Sequence, residues 1–176
     1  MVKYRRNLLA GGTYFFTVTL NNRRATTLTD HIEALRASFR KTLKTRPFEI
    51  DAMVVMPDHL HTIWSLPFED TDYAGRWRSI KSGFTQAIIK AGEPFSRNMK
   101  GEYSVWQRRY WEHTIHNDAD MSRHVEYIHF NPVKHGLVKN VRDWPYSTFH
   151  KYVEKGLYSS DWAGIKPGSE AGIYGE

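Results

Sequence analysis

Between Tyr14 and Leu20 apolar and hydroxyl side chains alternate, with Phe16, Val18 and Leu20 on one side and Thr17 and Thr19 on the other. That two-residue period is the mark of a half-buried strand. From Thr29 to about Thr45 the period lengthens: Ile32, Leu35, Phe39 and Leu43 recur at helical spacing, behind Thr29 and Asp30 as candidate caps and ahead of Pro47, which predicts a helix. Alternation returns over Phe48 to Met56, breaks at Pro57-Asp58 and resumes over His59 to Leu66, as in a tight antiparallel hairpin. Tyr73, Trp77, Ile80, Phe84, Ala87 and Ile88 then step by three and four within Asp72 to Ala91, a second amphipathic helix closed by Gly92. Tyr103 to Ile115, rich in aromatic and β-branched residues, predicts one more strand, and Asp118 to Asn131 a third helix with Met121, Val125 and Ile128 as its apolar stripe. Pro132 disfavours helical geometry in the residue before it, so this helix is expected to end near Asn131.

Strand, helix, strand, strand, helix, strand is the split βαβ order of an α+β, ferredoxin-like sandwich. It places an antiparallel sheet under two helices on one face, with the third helix near the other. A length of 176 residues fits one core. We assign residues 1–152 to that domain, with Trp144, Tyr146 and Phe149 packing back on it, and 153–176 to a mobile tail.

The composition narrows the chemistry. With no cysteine, disulfides, thiolate metal sites and cysteine nucleophiles are excluded, and a reducing, cytoplasmic setting fits. No apolar run reaches the roughly 18 residues of a membrane span, so no membrane partner is expected. A net charge of +6 favours a polyanionic partner, and the 14% aromatic content adds rings on which unpaired bases stack. Candidate phosphate contacts are Arg76, Arg78 and Lys81 in the second helix, Arg108 and Arg109 among the aromatic residues of the last strand, and Lys3, Arg5 and Arg6 at the start.

Two groups of residues carry reactive chemistry. His59 and His61, two apart on a strand, project to one face, while Leu60, Thr62, Trp64 and Leu66 form the helix-covered face. The pair suits a metal ion and suits equally two histidines with structural roles. In the third helix Asp120, His124, Tyr127 and Asn131 form a polar stripe about a quarter turn from the apolar one. A tyrosine hydroxyl attacks phosphorus poorly at neutral pH unless a cation draws charge from the phosphate. Two imidazoles and an amide oxygen leave coordination positions open, which suits Mg²⁺ or Mn²⁺. The alternative for Tyr127 is a ring at the edge of the core.

The runs Met56-Pro57-Asp58-His59-Leu60-His61, Tyr127-Ile128-His129-Phe130-Asn131-Pro132-Val133-Lys134-His135-Gly136-Leu137-Val138 and Trp144-Pro145-Tyr146-Ser147 resemble the HUH single-strand endonucleases with one catalytic tyrosine. The chain is more closely similar to the REP-associated tyrosine transposases among them. The resemblance implies that His59, His61 and Asn131 ligate a divalent metal, and that Tyr127 attacks the scissile phosphate to form a 5′-phosphotyrosine. It implies single-stranded DNA and DNA hairpins as partners, palindromic repeats as substrate, a nucleoid-associated enzyme, and N-terminal basic residues that read a short tetranucleotide. Alternatives are the transposase of a mobile insertion sequence and a hairpin-binding module that cuts nothing. Monomer and homodimer both remain open, since a dimer can place Tyr127 opposite another subunit's histidines.

Overall fold

The computed structural model describes residues 8–163 and 174–175. Four strands, β1 (Thr13–Thr19), β2 (Glu49–Val55), β3 (His59–Ser65) and β4 (Trp111–Thr114), form an antiparallel sheet in the order β2-β3-β1-β4. Helices α2 (Ile32–Thr45) and α3 (Tyr73–Lys90) cover one face, and α4 (Asp118–Lys134) covers the other. This is the ferredoxin-like sandwich expected from the order of elements. Among the described residues no helix is long and apolar enough to cross a membrane.

Each face of the sheet has its own apolar layer. Val18, Leu60, Trp64 and Phe16 point toward α2 and α3, where Trp64 stacks on Trp77 at 4.2 Å and meets Phe48 at 4.3 Å. Phe15, Ala52, Val54 and Ile63 point the other way and meet Val125 and Ile128 of α4. Strict alternation along β2 would not give that division. A register shift between Ile50 and Ala52 resets the pleat, so Ile50 faces the first layer and Ala52 the second.

Three elements depart from the sequence expectation. The first helix is broken at His31 into α1 (Thr27–Asp30) and α2, and neither takes a side-chain cap. The hydroxyl of Thr26 instead bonds Asp30, and the Leu28 N–H reaches Pro57. The last strand is shorter than predicted, because 103–110 crosses over α3 as a loop tied to the sheet by one bridge, Leu20 to Trp106. Helix α4 runs through Pro132 to Lys134. A proline withholds one N–H and biases its predecessor, but buried Tyr127, Ile128 and Asn131 hold the backbone helical through the ring. The stop comes at Gly136, whose φ of 69° lets Gly136 N–H bond Val133 and Leu137 N–H bond Pro132.

The start of α4 is tied to β4 through Asp120. Its carboxylate accepts bonds from the His113 ring at 2.8 Å and the His116 N–H at 3.0 Å, while Asn117 caps the helix through the Asp120 N–H. Burial opposes its charge, but the bonds from His113 and His116 outweigh that and hold the Asp120 carboxyl down at about 2.

Beyond residue 140, the single turn Val141–Asp143 and α5 (Phe149–Glu154) build a satellite layer in which Phe149, Tyr158 and Trp162 pack on His129. The chain past 152 is therefore part of the packed body as far as Trp162.

Gly136→Ala places a side chain at a left-handed position and is expected to cost about 1 kcal/mol, read as a lower urea midpoint. An unchanged midpoint would show that the glycine stop is dispensable. The depressed Asp120 pKa contributes stability above its unfolded value of 3.8, and that contribution disappears as pH falls toward about 2. The Tm difference between wild type and Asp120→Asn should therefore be constant above about pH 5 and close between about pH 4 and pH 2. A difference independent of pH throughout that window would contradict the assignment.

Candidate active site

The register of β1 on β3 sets Thr17 opposite His61 and Thr19 opposite His59. Both imidazoles are buried, with ring centres 4.9 Å apart. Each ring is oriented through Nδ1. His59 Nδ1–H donates to the Asp58 carboxylate at 2.7 Å, and Arg23 binds the other oxygen of Asp58 at 2.9 Å. Burial opposes the Asp58 charge, but His59 and Arg23 prevail and hold its carboxyl below the usual carboxylate range. The Thr17 hydroxyl donates its proton to the Tyr174 carbonyl at 2.6 Å, so the 2.8 Å bond between His61 Nδ1 and Thr17 has the imidazole as donor. Both rings thus use Nδ1 as a donor and leave Nε2 as the nitrogen not engaged by that brace, the orientation of a metal-ligating histidine held from behind.

Helix α4 lays a series of polar side chains along this pair. The Tyr127 ring is buried 5.2 Å from that of His61, and the His135 ring, at the end of the helix, lies 5.3 Å from that of His59. Asn131, fully buried, occupies the helical turn between them. Tyr127, Asn131 and His135 are spaced by four and share one face of the helix. Lys134 Nζ donates to the Tyr127 hydroxyl at 3.1 Å and lies 4.8 Å from the centre of its ring. All four residues singled out in the sequence, His59, His61, Tyr127 and Asn131, therefore gather on one side of the sheet, and the tyrosine meets the histidine of its own chain.

Tyr174 completes the arrangement. Its ring stacks on Tyr127 at 3.6 Å with 9° between planes, and its carbonyl is the group that Thr17 binds. The sequence reading put this residue in a mobile tail, whereas here it covers one face of the Tyr127 ring.

Sequence reasoning missed Thr17, Arg23, Asp58, Lys134 and Tyr174. Lys134 lies two helical turns beyond Tyr127 and would have joined the same stripe had the helix not been ended at Pro132. Thr17 follows from strand register, and Tyr174 from a contact spanning most of the chain; no local pattern reveals either one.

A second group, His113, Asp120 and His124, offers ligand atoms within 4.8 Å of one another. The carboxylate is already engaged by His113 and His116, His124 Nδ1–H donates to the Asp120 carbonyl at 2.9 Å, and the two rings lie nearly parallel at 13°. Parallel rings do not converge their lone pairs on a common point, so the group serves as the brace of α4 against β4.

The basic residues separate into three kinds. Arg76 is no phosphate contact: it is 2% exposed, pairs with Asp70 at 2.7 Å and binds the carbonyls of Arg46, Asp72 and Pro47. Lys81 is also committed, donating to the Gln107 carbonyl at 2.8 Å beside the rings of Trp106 and Tyr110, and its burial pushes its pKa down to about 8. Arg78, Arg108 and Arg109 are exposed, the latter two in the loop before β4. Lys3, Arg5 and Arg6 lie outside the described residues.

The chain is similar to known proteins along nearly its whole length. Residues 8–131 match the family model described as transposase IS200 like. The chain is 51% identical over 164 residues to the REP-associated tyrosine transposase of Escherichia coli K12, covering 93% of this chain and 92% of that protein. A Haemophilus influenzae relative is 43% identical over 166 residues, which cover 93% of this chain and 94% of the relative. Among solved structures, a REP-associated tyrosine transposase bound to a REP hairpin superposes with a TM-score of 0.87 at 49% identity, covering 100% of this chain and 98% of that one. A helix-borne tyrosine against a braced histidine pair, on a fold and sequence shared along nearly the whole chain, makes this protein a member of the IS200-like transposase family, in its REP-associated tyrosine transposase branch.

Proposed function

We propose that the chain is a metal-dependent single-stranded DNA endonuclease and strand transferase acting on hairpin-forming palindromic repeats through a 5′-phosphotyrosine on Tyr127. The observation that carries this reading is the approach of the Tyr127 ring to 5.2 Å from His61, whose partner His59 is 4.9 Å further along the strand. The hairpin substrate is supported by the relative that binds a REP hairpin.

His59 and His61, through the Nε2 atoms oriented by Asp58 and Thr17, and Asn131, through its amide oxygen, would hold the divalent ion. Two neutral imidazoles and a carboxamide suit Mg²⁺ or Mn²⁺, and the ion when bound withdraws charge from the scissile phosphate. The chain's own step is the attack of Tyr127 Oη on phosphorus. The phenolic proton is given up to solvent, a phosphorus–oxygen bond to tyrosine forms, the bond to the 3′ oxygen breaks, and that oxygen takes a proton from solvent and leaves as a 3′-hydroxyl. The phosphoester energy is retained in the link to tyrosine, so a 3′-hydroxyl attacks it later and rejoins strands without ATP. Lys134 acts on the nucleophile, because an ammonium donating to the phenolic oxygen at 3.1 Å favours the phenolate. The same contact stabilises tyrosine as leaving group when strands rejoin. Tyr174 stacks on one face of the same ring and leaves the attack to the hydroxyl at its edge.

Tyr127→Phe is expected to abolish the covalent adduct with a labelled hairpin carrying a single-stranded extension, while leaving hairpin affinity intact. A gel showing cleavage by the Phe variant would sink the nucleophile assignment, and wild-type binding with no cleavage in Mg²⁺ or Mn²⁺ would favour a binding module. Lys134→Met is expected to slow adduct formation about 10- to 100-fold and move its pH–rate profile to higher pH, with Kd unchanged. An unshifted profile would reduce Lys134 to a structural role.

A further inference from the structure

A cleft of about 330 Å³ lies at the β2 edge of the sheet, on the face covered by α2 and away from Tyr127. Its floor is apolar, made by Leu35, Phe39, Ile50 and Met53. One wall is the segment 145–148, which pairs with β2 as a strand does: Val55 N–H donates to Tyr146, Thr148 N–H to Met53, and Ser147 bridges Val54. That pairing fixes the half-buried Tyr146 ring against the cleft, with the Arg36 guanidinium 6.0 Å from its centre. Among the described residues the charged side chains lining the cleft are Arg36, Arg40 and Lys151, all cationic and all at the exposed rim. Lys44, also exposed, extends the line of Arg36 and Arg40 along α2 at four-residue steps. Glu33 pairs with Arg36 at 2.6 Å from outside the cleft.

We propose that this cleft binds one unpaired nucleotide of the DNA strand that flanks the hairpin, taking the base against Tyr146 and the adjoining phosphates at Arg40, Lys151 and Arg36. The proposal rests on the reading of the chain as an enzyme of single-stranded DNA. An apolar slot with an aromatic wall suits a flat base, and only an unpaired base can leave its stack to enter it. A rim of three cations with no lining carboxylate complements a polymer with one negative charge per residue. Duplex DNA satisfies the cations but not the slot. The cleft and the Tyr127 site lie on opposite faces of the sheet, the first at β2 and the second over β3 and β1, so a strand engaged at both bends round the β2 edge past Trp144 and Tyr146.

The probe is a fluorescein-labelled oligothymidylate of about 15 nucleotides, compared by anisotropy with a blunt DNA hairpin. Tyr146→Ala combined with Arg40→Gln and Lys151→Gln is expected to weaken oligothymidylate binding about 10- to 100-fold and to lower its salt slope by about 1.4 for the two cations removed. Blunt-hairpin affinity should hold within a factor of about two. Arg40→Gln alone, at an exposed site that leaves folding intact, should lower the slope by about 0.7. Unchanged oligothymidylate affinity and slope in both variants would overturn the proposal. So would an equal loss for the blunt hairpin at unchanged Tm, which would assign the cations to duplex DNA. Competition by polyglutamate as effective as by oligothymidylate would overturn it in favour of an acidic protein partner. Adduct formation by wild type is scored separately: its absence would defeat the Tyr127 reading, while the oligothymidylate data would still decide the cleft.

Discussion

The pairing of β1 with β3 is the constraint on which the site depends. Side chains alternate along a strand, so a slip of one residue would carry His59 and His61 into the apolar layer beneath α2 and α3 and turn Leu60 outward. The polar face does not prevent that slip; the packing behind it does. Leu60 and Trp64 are locked among Phe16, Phe39, Phe48 and Trp77, with the two indoles stacked at 4.2 Å. Substituting another apolar residue at position 60 would keep the register, whereas a polar one would weaken the constraint that aims the imidazoles. A dense apolar core on one face thus specifies an arrangement of polar groups on the other.

Burying those polar groups is costly unless each is bonded, and the bonding explains why the site is layered. Asp58 carries the His59 proton contact and is itself held by Arg23. Thr17 accepts from His61 and passes its own proton to the Tyr174 carbonyl. The chain of bonds fixes the orientation of each ring, which a pair of bare imidazoles would not have. Helix α4 contributes the opposing wall, and its passage through Pro132 decides how much of it reaches the site. Ending at Asn131 would leave Lys134 and His135 in a turn of unspecified direction; continuing to Gly136 sets them on the same face as Tyr127.

The period of apolar positions sufficed for the order of strands and helices along the chain, for α3, and for the opposite faces of Leu60 and the two histidines, because these depend on neighbours within one element. It failed where a non-local contact overrode a local preference. Pro132 stays helical because the residues around it are buried, and 103–110 is a loop that joins the end of β1 only at the Leu20–Trp106 bridge while Trp106 and Tyr110 pack beside Lys81 of α3. Arg76 and Arg78, two residues and about 200° apart on α3, differ for a local reason: Arg76 flanks the apolar stripe and is sealed against Asp70, whereas Arg78 faces solvent. The site was legible as residue types, while its bracing by Thr17, Arg23 and Tyr174 was not, since each acts across many intervening residues.

The Trp144-Pro145-Tyr146-Ser147 run acquires a physical meaning from the sheet edge. An edge strand presents unpaired N–H and C=O groups, and β2 is covered by this run instead of by another strand. Trp144 Nε1 donates to Val55, the Tyr146 carbonyl accepts from it, and Thr148 meets both polar groups of Met53. Trp144, which precedes the paired stretch, joins the layer containing Tyr127 and Met56, while Tyr146 joins the layer beneath α2; residues two apart would share a face in a regular strand, so the run is not one there. The clasp therefore belongs to both faces at once.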